Sequence, residues 1–426
     1  MYPLTLELIE FLLSDRAGRE LMKLADADLG DSLRLVTWLR KRFSQAEAAA
    51  LLDQAVLRRS AGPRGGGKFP QAERMLFVDE ALEQASSRAV AVYRAGLLVA
   101  HGVRTVADLG CGIGADTIAM AEAGLRVVAV ELDPVRARLA AANVAAVGLA
   151  DRVQVLCADW TPPESAGALT LAGPLAADAA FVDPARRLGG GGDVGRRRVF
   201  SLHDMVPPLS AIRSLRAQVP DVLVKVAPGV DLDEVPADAA VTFVAEGIHL
   251  KEAMLSFGAL RPLRSRQAVV LPGPHVFVVE ADRGQPRAHR RFDIPDIRTV
   301  QDVLYEPNPA VLRAGLVRDL GRRLHAGQLD PEIAYLTADD LVPTPFARAW
   351  PVERDGPFNL KELNRWLREA GVGRVIVKKR GSPIEPDAFR RRLKTTRGGP
   401  EKIVFLTQAR GKPWMVLCGD ELKVPG

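Results

Sequence analysis

Cysteine is scarce in this 426-residue chain: there are three, Cys111, Cys157 and Cys418, and histidine adds only six. The cysteines stand far apart, with no C-x-x-C or histidine-rich spacing, so neither a disulfide framework nor a zinc or other metal site is expected. Also missing is any apolar run as long as a membrane span. The N-terminus, Met1-Tyr2-Pro3-Leu4-Thr5-Leu6-Glu7, carries no basic leader. These gaps point to a cytoplasmic protein with reduced thiols and no membrane partner. What is present is an ordinary globular balance, 47% hydrophobic and 26% charged. The length leaves room for roughly two to four domains.

The formal net charge of +6 is compatible with a polyanionic partner. Its distribution says more. Basic residues gather at 58–68, at 186–198 and at 374–397, the last with Lys378, Lys379, Arg380, Arg390, Arg391, Arg392 and Lys394. Any one cluster is explained as a solvated face; three of them shift the balance toward nucleic acid.

Residues 1 to about 57 read as helices. Ser44-Gln45-Ala46-Glu47 forms a capping box before an Ala/Leu-rich run, and Asp31 or Ser32 caps a segment with Leu33, Val36 and Leu39 at helical spacing. The Gly/Pro-rich stretch to Arg74 reads as a surface linker in which Lys68 and Phe69 are the residues able to touch a ligand. A helix capped by Ser86 or Ser87 then leads to the central feature. In Val106 to Asp116, V-A-D-L-G-C-G-I-G-A-D, an apolar strand, Thr105 to Leu109, runs into glycines at alternate positions, Gly110, Gly112 and Gly114, and then a short helix. A strand, tight glycine turn and helix form the usual seat of a nucleotide-like ligand. The spacing is G-x-G-x-G, however, where a pyrophosphate site needs G-x-G-x-x-G, and Asp108 would repel a phosphate. A cationic ligand fits better.

Here the chain resembles the class I S-adenosylmethionine (SAM) methyltransferases, whose first motif is an acidic residue followed by G-x-G-x-G. The resemblance implies that the glycine turn cradles the methionyl part of SAM and that Asp108 helps hold its amino group. A second strand ends at Glu131, where a ribose-binding acid belongs. A third, Val153 to Cys157, ends before Asp159, matching the family's adenine-facing acid. A fourth, Ala179 to Val182, delivers Asp183-Pro184-Ala185-Arg186-Arg187. This resembles the fourth motif of amine-directed methyltransferases, with alanine in place of a second proline and arginine in place of the aromatic ring that clamps a flipped base, which counts against adenine amine methylation. The resemblance makes Asp183 and Pro184 the catalytic candidates, and Arg186 and Arg187 candidates for substrate contact. A fifth strand, Val222 to Val226, carries Lys225; Asp183, Lys225 and Glu252, with Lys68 or Lys251, are similar to the Lys-Asp-Lys-Glu set of ribose methyltransferases. Cytosine or uracil C5 methylation is disfavoured, since no cysteine lies beside the motifs that would need one.

The fold expectation is α/β: a Rossmann-like class I core with a mixed seven-stranded sheet, an N-terminal helical domain, and one or two small α+β C-terminal domains. The boundaries read as 1–75 (helices and linker), 76–272 (SAM-dependent core), 273–345 (a ferredoxin-like module) and 346–426. Layout and charge make the last segment resemble a THUMP-like domain, THUMP being an RNA-binding module of tRNA-modifying enzymes. That resemblance implies RNA contact by Lys378, Lys379, Arg390 and Arg391. The expected activity is SAM-dependent methyl transfer to a nitrogen or oxygen of RNA such as tRNA or rRNA. A protein or small-molecule acceptor, or non-catalytic SAM or RNA binding, is the alternative.

Overall fold

The computed structural model describes residues 3–63, 67–161, 177–186, 201–278 and 296–423. Four helices open the chain: α1 (Leu6–Leu12), α2 (Asp15–Ala25), α3 (Ser32–Leu39) and α4 (Gln45–Ala61). Asp31 accepts from the Arg34 N–H at the start of α3, and Ser44 and Glu47 exchange both bonds of the capping box ahead of α4. Leu51, Leu52 and Ala55 of α4 share an apolar cluster with Leu8, Ile9, Leu21 and Leu24 of the first two helices.

In the segment after α4, read as a surface linker, Lys68 and Phe69 are both anchored. Phe69 is buried against Phe77, with ring centroids 5.2 Å apart. Lys68 Nζ donates to the carbonyls of Leu82, Glu83 and Ala85 at 2.6–2.8 Å, closing the C-terminal end of α5 (Asp79–Gln84). Three ammonium donors thus satisfy carbonyls that a helix end leaves without intrahelical partners.

After α6 (Arg88–Ala100) the chain alternates: β1 (Thr105–Leu109), α7 (Ala115–Glu122), β2 (Arg126–Glu131), α8 (Pro134–Ala146), β3 (Val153–Cys157), β4 (Ala179–Val182). There follow β5 (Ala185–Arg186) and β6 (Met205–Val206), which pair with each other, then β7 (Val222–Val226), β8 (Ala240–Glu246), β9 (His249–Ser256), β10 (Arg266–Leu271) and β11 (His275–Val278). The main sheet is mixed and nine-stranded, in the order β11-β10-β8-β9-β7-β4-β1-β2-β3. Strands β7, β4, β1, β2 and β3 are parallel, and β9 runs against β7. Seven strands were expected; β10 and β11 are the additional pair. Pro272-Gly273-Pro274, marked in the sequence as a boundary, is the turn of their hairpin, with Gly273 at φ +65°. All four residues of β4 are buried, as a central parallel strand covered on both faces requires. Between β4 and β1 the order of connection reverses, so the carboxyl ends of these two strands flank the crevice where open α/β sheets bind ligands.

A second sheet has the order β13-β14-β12-β15-β18-β17-β16, formed by β12 (Val303–Pro307), β13 (Gly327–Asp330), β14 (Ile333–Ala338), β15 (Ala347–Pro357), β16 (Arg374–Lys379), β17 (Glu401–Ala409) and β18 (Lys412–Cys418). The long β15 pairs with β12 through its first residues and with β18 through its last. Pro343 and Pro345 therefore fall between strands of one sheet. The helix Leu360–Glu369 buries Leu363, Trp366 and Leu367 in a cluster with Val375, Val404 and Met415.

Internal contacts divide the chain into two compact units, Met1–Val241 with Glu252–Ser265, and Thr242–Lys251 with Arg266–Gly426. Among the described residues no helix is long and apolar enough to cross a membrane.

Candidate active site

The glycine turn after β1 is built as its spacing demands. Gly110, Gly112 and Gly114 all have positive φ, at +88°, +58° and +92°. The N–H groups of Gly110 and Cys111 both donate to the Val130 carbonyl, at 2.8 and 3.1 Å, tying the turn to β2. A Cβ on Gly110 would lie 2.8 Å from the carbonyl oxygen of Asp183. Only glycine lets the turn meet the end of β4 this closely.

Of the three acids read as cofactor-binding, Glu131 bonds the turn itself, Asp108 bonds the helix that follows it, and Asp159 bonds neither. Asp108 is fully buried; the Thr117 hydroxyl donates to its Oδ2, and its Oδ1 has no hydrogen-bond partner. Desolvation, reinforced by the nearby Asp116 charge, pushes its carboxyl up to about 7. Glu131 accepts from the Gly112 N–H at 2.8 Å and from the Asp133 N–H at 3.0 Å, so it joins the turn to the start of α8. Asp159, half-buried beyond β3, folds onto its own loop: its Oδ1 accepts from the Thr161 N–H at 2.9 Å and the Thr161 hydroxyl at 2.7 Å. Cys111, within the turn, is buried, and burial pushes its thiol well up, which argues against a nucleophilic thiolate there.

Across the turn, Lys225 Nζ lies 2.8 Å from Asp183 Oδ2. Desolvation works against the lysine's charge, but the carboxylates of Asp183, Glu252 and Asp116 outweigh it and raise its pKa. Pro184 is half-buried beside them. The anticipated second lysine is not here, since Lys68 closes α5 and Lys251 faces Glu246 at 3.5 Å. The second cation is Arg94, which sequence reasoning missed. Its guanidinium is fully buried, donates to Asp116 and to Glu252, and lies 4.1 Å from the centroid of the Phe181 ring. A signal existed: Arg94 falls on the α6 stripe of Val90, Ala91, Ala95 and Leu98, where a charge needs a buried partner. Asp108, Asp116, Asp183 and Glu252 against Arg94 and Lys225 make an environment that attracts a cation.

The basic candidates of the C-terminal part do not form one patch. Neighbours on β16, Lys378 and Lys379 project to opposite faces. Lys378 pairs with Glu306 and sits 4.5 Å from the centroid of the Trp350 ring, while Lys379 pairs with Glu385. Arg390 is exposed and pairs with Asp387 at 3.0 Å, and Arg391, Arg392, Lys394 and Arg397 are exposed along the segment that follows. The backbone of Arg186 pairs with Met205; its side chain and the whole of Arg187 lie outside the described residues.

Comparison with known proteins places this geometry. Proteins of two Mycobacterium tuberculosis strains, CDC 1551 and H37Rv, each named an uncharacterized S-adenosylmethionine-dependent methyltransferase, are 34% identical over 373 residues, 86% of this chain and 94% of the relative. The chain belongs to the S-adenosylmethionine-dependent methyltransferases. S-adenosylmethionine is accordingly the methyl donor of this methyltransferase. Within it, residues 103–223 match a family model described as RNA cap guanine-N2 methyltransferase, and residues 347–420 match one described as THUMP domain-like. The crystal structure of a protein from Porphyromonas gingivalis W83 shares the fold, with a TM-score of 0.74 and 20% identity over 98% of the methyltransferase and 99% of that chain.

Proposed function

We propose that this methyltransferase acts on RNA, at the exocyclic N2 of a guanine. The guanine-N2 family model spans the glycine turn and Asp183, and the THUMP-like match supports an RNA partner. The single observation that carries the acceptor side is Asp183, whose carboxylate is held by Lys225 at 2.8 Å while its backbone carbonyl closes against Gly110. The residues around the turn fit S-adenosylmethionine. Asp108 Oδ1, buried without a partner, offers the methionyl ammonium an acceptor, and the space that a Cβ on Gly112 would fill is open. After its two N–H bonds Glu131 retains lone pairs for ribose hydroxyls, and Asp159, whose Oδ1 is taken up by Thr161, keeps Oδ2 as the acceptor proposed for the adenine amine. When bound, S-adenosylmethionine supplies an electrophilic methyl group on a sulfonium.

The chain's own contribution is orientation. Asp183 accepts one N–H of the amine and, after transfer, takes the proton that the nitrogen sheds. The Pro184 carbonyl accepts the other N–H, and proline brings no N–H of its own to compete. Lys225, 2.8 Å from its Oδ2, keeps the carboxylate turned. Holding the nitrogen lone pair in line with the methyl is worth on the order of 7–11 kcal/mol. Transfer of labelled methyl from S-adenosylmethionine to RNA, with the modified nucleoside identified by mass, tests this function.

The exposed run Arg390, Arg391 and Arg392 is read as the phosphate contact. Replacing all three with alanine is expected to flatten the dependence of log affinity for RNA on log salt by about 0.7–0.9 per lost contact. A slope equal to that of the wild type would return the run to an ordinary solvated face.

A further inference from the structure

One guanidinium touches three of the elements that frame the proposed site. Arg94 reaches Asp116, in the first turn of α7 immediately after Gly114; Glu252, on β9 beside the strand of Lys225; and, over its ring, Phe181 on β4, two residues before Asp183. Phe181 is in register with Asp108 on β1 and Leu223 on β7, so the ring beneath Arg94 lies on the strand between those that carry Asp108 and Lys225. Glu252 serves twice, bonding Arg94 and helping to hold Lys225 protonated, while Lys225 in turn holds Asp183.

Stability alone does not account for this arrangement. A buried ion triad is often no more stable than well-packed apolar side chains of the same volume, and here the Nε–H of Arg94 is also buried without a partner. What the triad does supply is geometry: a planar fork with fixed angles between its donors and a stacking face, which neither an ammonium nor an apolar side chain reproduces.

We propose that Arg94 is a positioning residue for methyl transfer, fixing the Lys225–Asp183 pair beside the glycine turn by gripping Asp116 and Glu252. This rests on the reading of Asp183 as the acceptor-side carboxylate.

The experiment compares wild type, Arg94→Lys, Glu252→Gln and Asp183→Ala. It measures S-adenosylmethionine affinity by calorimetry and kcat and KM on total RNA from a strain lacking the protein. Lysine keeps the charge but cannot span both carboxylates, so kcat of Arg94→Lys is expected to fall about 100-fold, the scale of a small misplacement at a reacting centre. Both KM for RNA and the cofactor Kd should stay within about threefold. Glu252→Gln keeps shape and loses charge, and should lower kcat in the same direction by a smaller factor. Arg94→Lys turning over at the wild-type rate, or losing cofactor affinity in proportion to kcat, overturns the proposal. Where Arg94→Lys does not fold, Glu252→Gln decides: a lower kcat with cofactor affinity kept supports the role, and an unchanged kcat overturns it. Full turnover by Asp183→Ala would instead sink the underlying reading of the site, and the role of Arg94 with it.

Discussion

Replacing Asp183 with alanine is expected to lower the rate of methyl transfer by about 10³-fold while cofactor affinity changes little. The residue is proposed to face the acceptor, and the cofactor contacts proposed for Asp108 and Glu131 lie on other strands. The loss has two parts. The nitrogen loses the acceptor that orients its lone pair and takes its proton, and Lys225 loses the carboxylate 2.8 Å from its ammonium. Asp183→Asn separates them, because an amide still accepts a hydrogen bond but takes no proton and does not balance the lysine; it should fall between alanine and wild type. Single-turnover rates with calorimetric Kd values for the cofactor make the comparison. A variant that loses cofactor binding and rate together would move Asp183 to the donor side.

Asp108→Asn is expected to stabilise the protein and weaken its hold on S-adenosylmethionine at once. Burial, with Asp116 nearby, lifts the Asp108 carboxyl from 3.8 to about 7 in the folded chain. Between those values the folded state keeps a proton that the unfolded chain has released, so the Asp108 contribution to stability declines as pH rises through this window and levels off above it. Asparagine has no such proton to lose. The stability advantage of the variant should therefore widen by on the order of 3 kcal/mol between about pH 5 and pH 8. Denaturant unfolding at the two pH values reads this directly. Calorimetry should show cofactor affinity at neutral pH lowered about 10- to 100-fold, the worth of a hydrogen bond to a charged group. An advantage independent of pH, or unchanged affinity, would contradict the assignment.

Much of the core was legible because its strands are short apolar runs with abrupt ends. The ranges Thr105–Leu109, Val153–Cys157, Ala179–Val182 and Val222–Val226 were read from the sequence as they stand in the structure. They end at glycine, at Ala-Asp, at aspartate and at Ala-Pro, so pattern and punctuation agree. The hairpin around Pro272-Gly273-Pro274 was not legible, because the same residues punctuate a turn and a domain boundary, and only the pairing of Gln267 with Val278 distinguishes them. Nor could sequence show that β15 would be shared between β12 and β18.

At the site, acids at the ends of successive strands were visible because the period of the fold puts them there. Their partners were not. Arg94 and Glu252 are 158 positions apart, and a lone arginine in a helix carries no sign of which carboxylate it will meet. Lys68 shows the opposite error: a lysine in a glycine-rich stretch suggests a ligand contact, whereas its ammonium caps a helix.

The most direct test of the central claim, RNA guanine N2 methylation, is transfer of labelled methyl from S-adenosylmethionine by the purified protein to fractionated extract of a strain lacking it, followed by mass analysis of the labelled nucleoside. Label in the RNA fraction, recovered as N2-methylguanosine and lost with Asp183→Ala, is the predicted result. Label confined to protein or small molecules, or carried by any other nucleoside, would contradict it.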